Sequence, residues 1–251
     1  MTFDSSFNKF HTMKNLFSLL CFFSFLGFYG QEVIVKDNSS RSSSSNYSNK
    51  VTYYKVNEGD VIILNDDTIG TPYLFDEFQL GSIFVYDEET VNNIAVKYNA
   101  YNDVFFIKPS LNSSNTEAQG ITKSIDLKIK LGDKFFVALP SMDIRGNLQY
   151  YEVLSSGKKG KLLKKNSKLY KERIEATTSL TRDVPATFKD QTTYFFQHKN
   201  GDFSELPTSK KKFIAVFDGE KKQVTAIIKE HKLNIKNELD LIKFFKLYES
   251  I

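Results

Sequence analysis

The sequence predicts an α+β fold: an antiparallel β meander, formed as a curved sheet, barrel or sandwich, followed by a small C-terminal helical bundle. Three observations predict it. Between residues 51 and 206 apolar residues recur with period two or in short runs, each bounded by turn formers. Beyond Pro207 the period becomes that of amphipathic helices, and no further proline interrupts it. The chain also carries 23 Phe and 13 Tyr but no Trp, a composition suited to pleated, half-buried surfaces. At 251 residues it can bury the core of one large domain or of a domain with an appendage. Its 41% hydrophobic and 25% charged residues are an ordinary globular balance.

Residues 1–30 read as a secretory signal. Met13-Lys14-Asn15 is a short basic start, and residues 16–29 form an apolar run broken only by Ser18, Ser24 and Gly27. The run is shorter than the ~20 apolar residues that span a bilayer, and Gly30 is a small residue at a cleavage edge. Residues 1–12 add nothing that a signal needs, which places the expected start at Met13. Leu20 is not the small residue that lipid attachment at Cys21 would want before the thiol. Cleavage near Gly30 removes Cys21, the single cysteine, so the mature chain is expected to hold no disulfide, thiolate nucleophile or cysteine metal ligand. Residues 31–50, with the run Ser-Ser-Arg-Ser-Ser-Ser-Ser, have the composition of a linker.

The β-rich part is expected over residues 51–207. Strands are predicted at 51–56 and 61–64 around the turn Asn57-Glu58-Gly59-Asp60, and at 83–86 and 94–101 around the acidic Asp87-Glu88-Glu89. A strand at 104–108 ends at Pro109, which cannot continue a central strand. Residues 111–120 are polar and read as a loop. Further strands are predicted at 125–129, 135–139, 148–154 and 161–165. The pair 192–198 and 203–206 is joined through Asn200-Gly201, the strongest short hairpin signal in the chain. In the helical segment, 208–251, Phe213, Val216 and Phe217 mark a first helix that stops at Asp218-Gly219. Val224, Ile227, Ile228 and His231 mark a second. Leu239, Leu241, Ile242, Phe244, Phe245 and Tyr248 form a broad apolar stripe on a third, capped by Asn234 or Asn237. On that pattern one of Phe244 and Phe245 is expected to stay exposed.

Signatures of well-known chemistry are missing: the sequence holds no Gly-rich phosphate loop, nucleophile elbow, His-Glu-x-x-His or Cys-x-x-Cys. No catalytic residue, cofactor or metal is predicted. His198 and His231 sit at element ends, where the helix dipole already favours the second. The acidic groups Asp66-Asp67, Asp76-Glu77 and Asp87-Glu88-Glu89 lack the alternating ligand spacing of a calcium loop and suit solvated turns. A carboxylate pair for glycoside hydrolysis would be Glu77 and Asp103.

Two motifs stand out. The first is Gly70-x-Pro72-Tyr73-Leu74-x-x-Glu77-Phe78-x-x-Gly81; the second is Tyr98-Asn99-x-Tyr101-x-Asp103. Pro72 presets a turn, and Gly81 suggests a backbone conformation that other residues resist. Tyr98 and Tyr101 are three apart, so a regular strand points them to opposite faces unless a bulge intervenes near Asn99 or Asn102. A buried tyrosine needs a partner for its hydroxyl, which Asp103 or a backbone carbonyl could supply. The motifs therefore read first as structural glue. Together with Tyr151-Glu152-Val153-Leu154, Leu162-Leu163-Lys164-Lys165 and the tail from His231 to Ile242, they resemble a family of secreted proteins of Bacteroidota without an assigned activity. The resemblance implies export, a β-rich body and a helical end. Asp67-Thr68-Ile69 also resembles the short O-glycosylation acceptor of that group.

The remaining feature is a basic strip: Lys158, Lys159, Lys161, Lys164, Lys165, Lys168, Lys171 and Arg173, with Glu172 as the one acid among them. Lys161, Lys164 and Lys165 are candidates for binding an anionic surface; equally, lysines guard exposed edge strands against association. Only Tyr170 interleaves, and a formal charge of +4 is mild, so a nucleic acid is not expected. The functional expectation is a non-catalytic envelope, periplasmic or secreted module with no membrane-spanning helix in its mature form. Its partner would be an envelope protein, a glycan or an anionic lipid surface. The alternatives are a carboxylate-dependent hydrolase and a purely structural envelope accessory.

Overall fold

The computed structural model describes residues 51–55, 67–142, 147–178 and 180–251, all within the unit Ser44–Ile251. The signal and linker expected over 1–50, the turn at 57–60 and the strand at 61–64 lie outside the described residues. The strands are β1 (Tyr53–Lys55), β2 (Gln79–Val85), β3 (Glu88–Asn99), β4 (Val104–Lys108), β5 (Gln119–Ile121), β6 (Leu127–Leu131), β7 (Lys134–Pro140), β8 (Leu148–Ser156), β9 (Gly160–Lys171), β10 (Thr187–His198) and β11 (Phe203–Glu205). Three helices follow: α1 (Lys210–Val216), α2 (Lys221–Glu230) and α3 (Glu238–Tyr248). The α+β class and the antiparallel meander hold. Strand β5 falls partly in the segment expected to be all loop, and β9 runs well past residue 165.

The strands form one open antiparallel sheet in the order β1-β5-β4-β3-β2-β6-β7-β8-β9-β10-β11. Two meanders, β2 to β5 and β6 to β11, grow in opposite directions from β2. Its terminal strands, β1 and β11, are three residues long each. The sheet is strongly curved. In a flat sheet β4 and β8, five places apart, would be separated by about 24 Å at ~4.8 Å per strand. Instead the rings of Phe105 (β4) and Tyr150 (β8) meet edge-on at 4.7 Å, and Phe105 meets Phe136 (β7) at 5.1 Å. The enclosed inner face holds the first core, with Ile83, Ile94, Val96, Tyr98, Phe105, Ile129, Phe136 and Tyr150 among its buried members.

An irregularity in β3 makes this core continuous. Val91 faces inward, and so do Ile94, Val96 and Tyr98, although strict alternation would turn the latter three outward. Opposite Gly81 and Ile83 stand Ile94 and Val91, so β3 holds one residue more than β2 there. The extra residue lies at Asn92-Asn93, and Asn93 takes the left-handed conformation (φ 53°) that asparagine tolerates. The bulge is thus upstream of the expected Asn99 or Asn102.

The helices cover the inner face of β9 and β10, forming a second core from Leu162, Phe196, Phe213, Phe217, Val224, Ile228, Leu241, Phe244, Phe245 and Tyr248. Asn237 is the cap of α3, its side chain accepting from the Asp240 N–H. Gly219, at φ 82°, lies in the turn between α1 and α2. The expectation that one of Phe244 and Phe245 is exposed is corrected. Both are buried, because α3 is packed on two sides: Phe245 against Phe196 of β10 at 4.8 Å, Phe244 against Phe213 of α1 at 5.2 Å. Leu239, included in the expected stripe, is exposed.

Carboxylates fasten this layer to the sheet, Glu220 and Glu238 through partner side chains and Glu249 by accepting the Lys158 and Lys159 N–H groups. Glu220 binds Lys159 at 2.8 Å and accepts from the Tyr248 hydroxyl. Glu238 binds Lys164 at 2.7 Å and the Tyr194 hydroxyl at 2.9 Å. The hydrogen bond from Lys159 and that from Tyr248 hold Glu220 below the usual carboxylate range. Burial pushes Glu238 up, but its bonds to Lys164 and Tyr194 outweigh burial and leave it low as well. A depressed carboxyl stabilises the fold above its unfolded-state value and loses that contribution as pH falls through the lower folded-state value. Acidification below about pH 4.5 is therefore expected to loosen the helices from the sheet. Near-ultraviolet circular dichroism of the tyrosines should change there, with a smaller change in the Lys164→Met variant. A signal flat down to pH 3 would contradict it.

Candidate functional site

The two motifs meet at the end of β3. The Pro72 carbonyl accepts the Ala100 N–H at 2.9 Å and the Tyr101 N–H at 3.2 Å, and the Leu74 N–H donates to the Tyr98 carbonyl. Leu74 and Phe75 pack against the inner core, whereas the Tyr73 ring lies 3.9 Å beneath the Lys97 ammonium. Lys108 is buried yet satisfied, donating to the carbonyls of Leu111 and Ser113 and to Asn115 Oδ1. Gly81 is required for space, not for the unusual conformation expected of it: a methyl group there would stand 2.1 Å from the Lys130 carbonyl oxygen of β6. Gly81→Ala is expected to push β2 from β6 and destabilise the protein by about 2 kcal/mol, read as a lower urea midpoint. An unchanged midpoint would show that the sheet yields freely there.

Asp103 is the centre of the second motif. Asn99 is buried, and its Oδ1 accepts the N–H groups of Tyr101 and Asn102, both at 3.0 Å. That turn delivers Asp103 in a left-handed conformation, φ 57°. Its carboxylate accepts from the Tyr98 hydroxyl at 2.6 Å, from Lys123 Nζ at 2.5 Å and from the Tyr150 N–H at 3.2 Å. Pairing between β8 and β9 stops at Glu152 and Lys164, so Asp103 takes the place of a strand neighbour for Tyr150. Burial, reinforced by the adjacent carboxylate, raises the Tyr98 phenol far above its ordinary value. The two tyrosines part as expected, Tyr98 being the one in the core; Tyr101, in the turn beyond β3, is the exposed one and sets its edge against Phe188 and Tyr170 of β10 and β9. The Asp103 carboxylate, the Tyr98 hydroxyl and the Asn99 side-chain oxygen are thus engaged in holding strands together, whereas the buried Tyr150 hydroxyl has no hydrogen-bond partner among the described residues. Glu77 is exposed and shares no hydrogen bond or ion pair with Asp103 among the described residues.

The basic strip is not an exposed edge: β9 lies between β8 and β10 and pairs with β10 over its whole length. Alternation sends Lys164 to the inner face with Leu162, and Lys161 and Lys165 to the outer face with Leu163. The three candidate lysines therefore do not share a surface. Lys159, Lys164, Lys168 and Arg173 are ion-paired with Glu220, Glu238, Asp190, and Asp67 with Asp183 respectively.

A groove of about 540 Å³ lies across the outer ends of β6 to β9, beside the β2–β3 turn. Its lining combines the aliphatic Val137 and Val153, the aromatic Tyr86 and Phe135, and the charged Asp87, Asp126, Lys128 and Lys161. Phe135 leans on Phe84 with centroids 6.1 Å apart, and Lys128 stands beside both rings while binding Asp87 at 2.7 Å. Asp87 is thereby held below the usual carboxylate range. Tyr86 and Ile125 project beside the opening, 69% and 66% exposed. Sequence reasoning missed this groove, because its residues come from four separated strands and a turn. The available signal was the Tyr86-Asp87 turn, a two-residue connection without the Gly or Asn such turns favour.

Among the described residues no cluster of His, Cys, Asp and Glu is arranged to hold a metal ion, and no helix is long and apolar enough to cross a membrane. Compared with protein-family models, curated proteins and solved structures, the chain matches none. The fold and the groove define the class no further than an α+β protein built on a curled antiparallel sheet.

Proposed function

We propose that the protein is a non-catalytic exported module of a bacterial envelope or of the secreted fraction, whose work is binding. The observation that carries the reading is the contrast between its two polar regions. The carboxylate at the motif centre is engaged by three structural donors, whereas the groove lining presents Lys161 and Asp126 without ion pairs among the described residues. Export rests on the leader-like residues 13–30, and the resemblance to secreted Bacteroidota proteins rests on the two motifs with residues 151–154, 162–165 and the tail 231–242. We read the curl of the sheet as that of an unclosed barrel, with the helices over one end of its inner face. The hydrolase alternative on Glu77 and Asp103 is set second, because Asp103 is engaged by Tyr98, Lys123 and the Tyr150 N–H.

Cell fractionation with N-terminal sequencing tests the reading. The expected product begins near residue 31 and lies outside the cytoplasm; a cytoplasmic protein retaining Met13 would overturn it. A purely structural accessory would be indicated if the exported protein retained no ligand class at its groove.

A further inference from the structure

We infer that the groove beside the β2–β3 turn is a binding site for a neutral glycan, with Tyr86 and Phe135 as its stacking platforms. The inference rests on the binding-module reading and names the ligand class for it.

Tyr86 is the most telling residue. The turn between β2 and β3 consists of Tyr86 and Asp87, at φ 51° and 64°. Two successive left-handed residues make the hairpin turn that glycine and asparagine serve with least strain. A bulky aromatic is out of place there, and its ring contributes nothing to the core, being 69% exposed. Strain retained at an exposed position points to a role outside folding. The Tyr86 N–H donates to the Asp126 carbonyl, so the ring is presented from a fixed backbone. It lines the groove together with Phe135.

The polar groups define the ligand. Around the aromatic and aliphatic surface stand Asp126, an acceptor, and Lys161, a donor, neither in an ion pair among the described residues, together with the Lys128–Asp87 pair and the Ser156 hydroxyl. The lining offers both donors and acceptors, and the charges of its two aspartates and two lysines cancel. A polyanion or an anionic lipid surface would meet Asp87 and Asp126 at the entrance, and a purely apolar ligand would strand all four charges. A pyranose matches both features: one face of its ring is C–H and stacks on aromatic planes, while its rim of hydroxyls both donates and accepts.

Affinity electrophoresis tests this, using gels cast with soluble starch, mixed-linkage β-glucan, arabinoxylan or galactomannan, and with alginate as a polyanion. The wild type is expected to be retarded by at least one neutral polysaccharide, with retardation reduced at least tenfold in Tyr86→Asn and in Phe135→Leu. Tyr86→Asn is informative because it relieves turn strain: its urea midpoint should rise while binding is lost, so misfolding cannot account for the loss. Absence of retardation on all four neutral gels, or retardation by alginate alone, would overturn the inference. Retardation that Tyr86→Asn leaves unchanged would also overturn it, while leaving the binding-module reading intact.

Discussion

Asp103→Ala is expected to destabilise the protein by about 4 kcal/mol, the sum of several donors stranded at once. The Tyr98 hydroxyl is fully buried and would keep only the distant Asn166 carbonyl at 3.5 Å. The Tyr150 N–H has no strand neighbour to turn to, and Lys123 loses its counter-charge. In thermal unfolding this corresponds to a fall in Tm of about 10 °C for a domain of this size. Tyr98→Phe removes one of the stranded donors, so the double variant should be less destabilised than the two single effects combined. A loss below 1 kcal/mol in Asp103→Ala, or strict additivity with Tyr98→Phe, would contradict the role assigned to this carboxylate.

Phe244→Ala is expected to cost about 4 kcal/mol, transfer and cavity contributions together. The ring is fully buried and contacts Phe213, Phe217, Phe245 and Tyr248, so no single neighbour can collapse into the space it leaves. Leu239→Ala, on the same helix but 74% exposed, should change stability by less than about 0.5 kcal/mol. Urea denaturation of the pair measures the difference. Equal effects would show that α3 is not docked through the ring cluster.

Much of the architecture was legible because it depends on local alternation. Strand β4 at Val104–Lys108 coincides with its expected span, and the change of period beyond Pro207 marks the helices. The Tyr98–Asp103 bond was foreseeable for a different reason: a tyrosine bound for the core must bring a partner for its hydroxyl, and an acid five residues away is within reach across a turn. Other features required the partner strand. The bulge at Asn92-Asn93 is visible only against Gly81 and Ile83 of β2. The room that Gly81 leaves is occupied by a carbonyl of β6. Phe244 and Phe245 are both buried because α3 has neighbours on two sides, which no pattern along one helix reveals.

The sequence by itself determined the class of fold and the places of most strands and all three helices, and it offered Asp103 as one partner for a buried tyrosine. These follow from side-chain periodicity and from the need to satisfy buried polar groups, both of which act over a few residues. Only the tertiary structure decided that the basic strip is split between two faces and largely neutralised, and that a groove with a strained, exposed tyrosine lies on the outer surface. Strand order and curvature bring residues far apart in the chain to one surface, and neither is encoded in any local stretch.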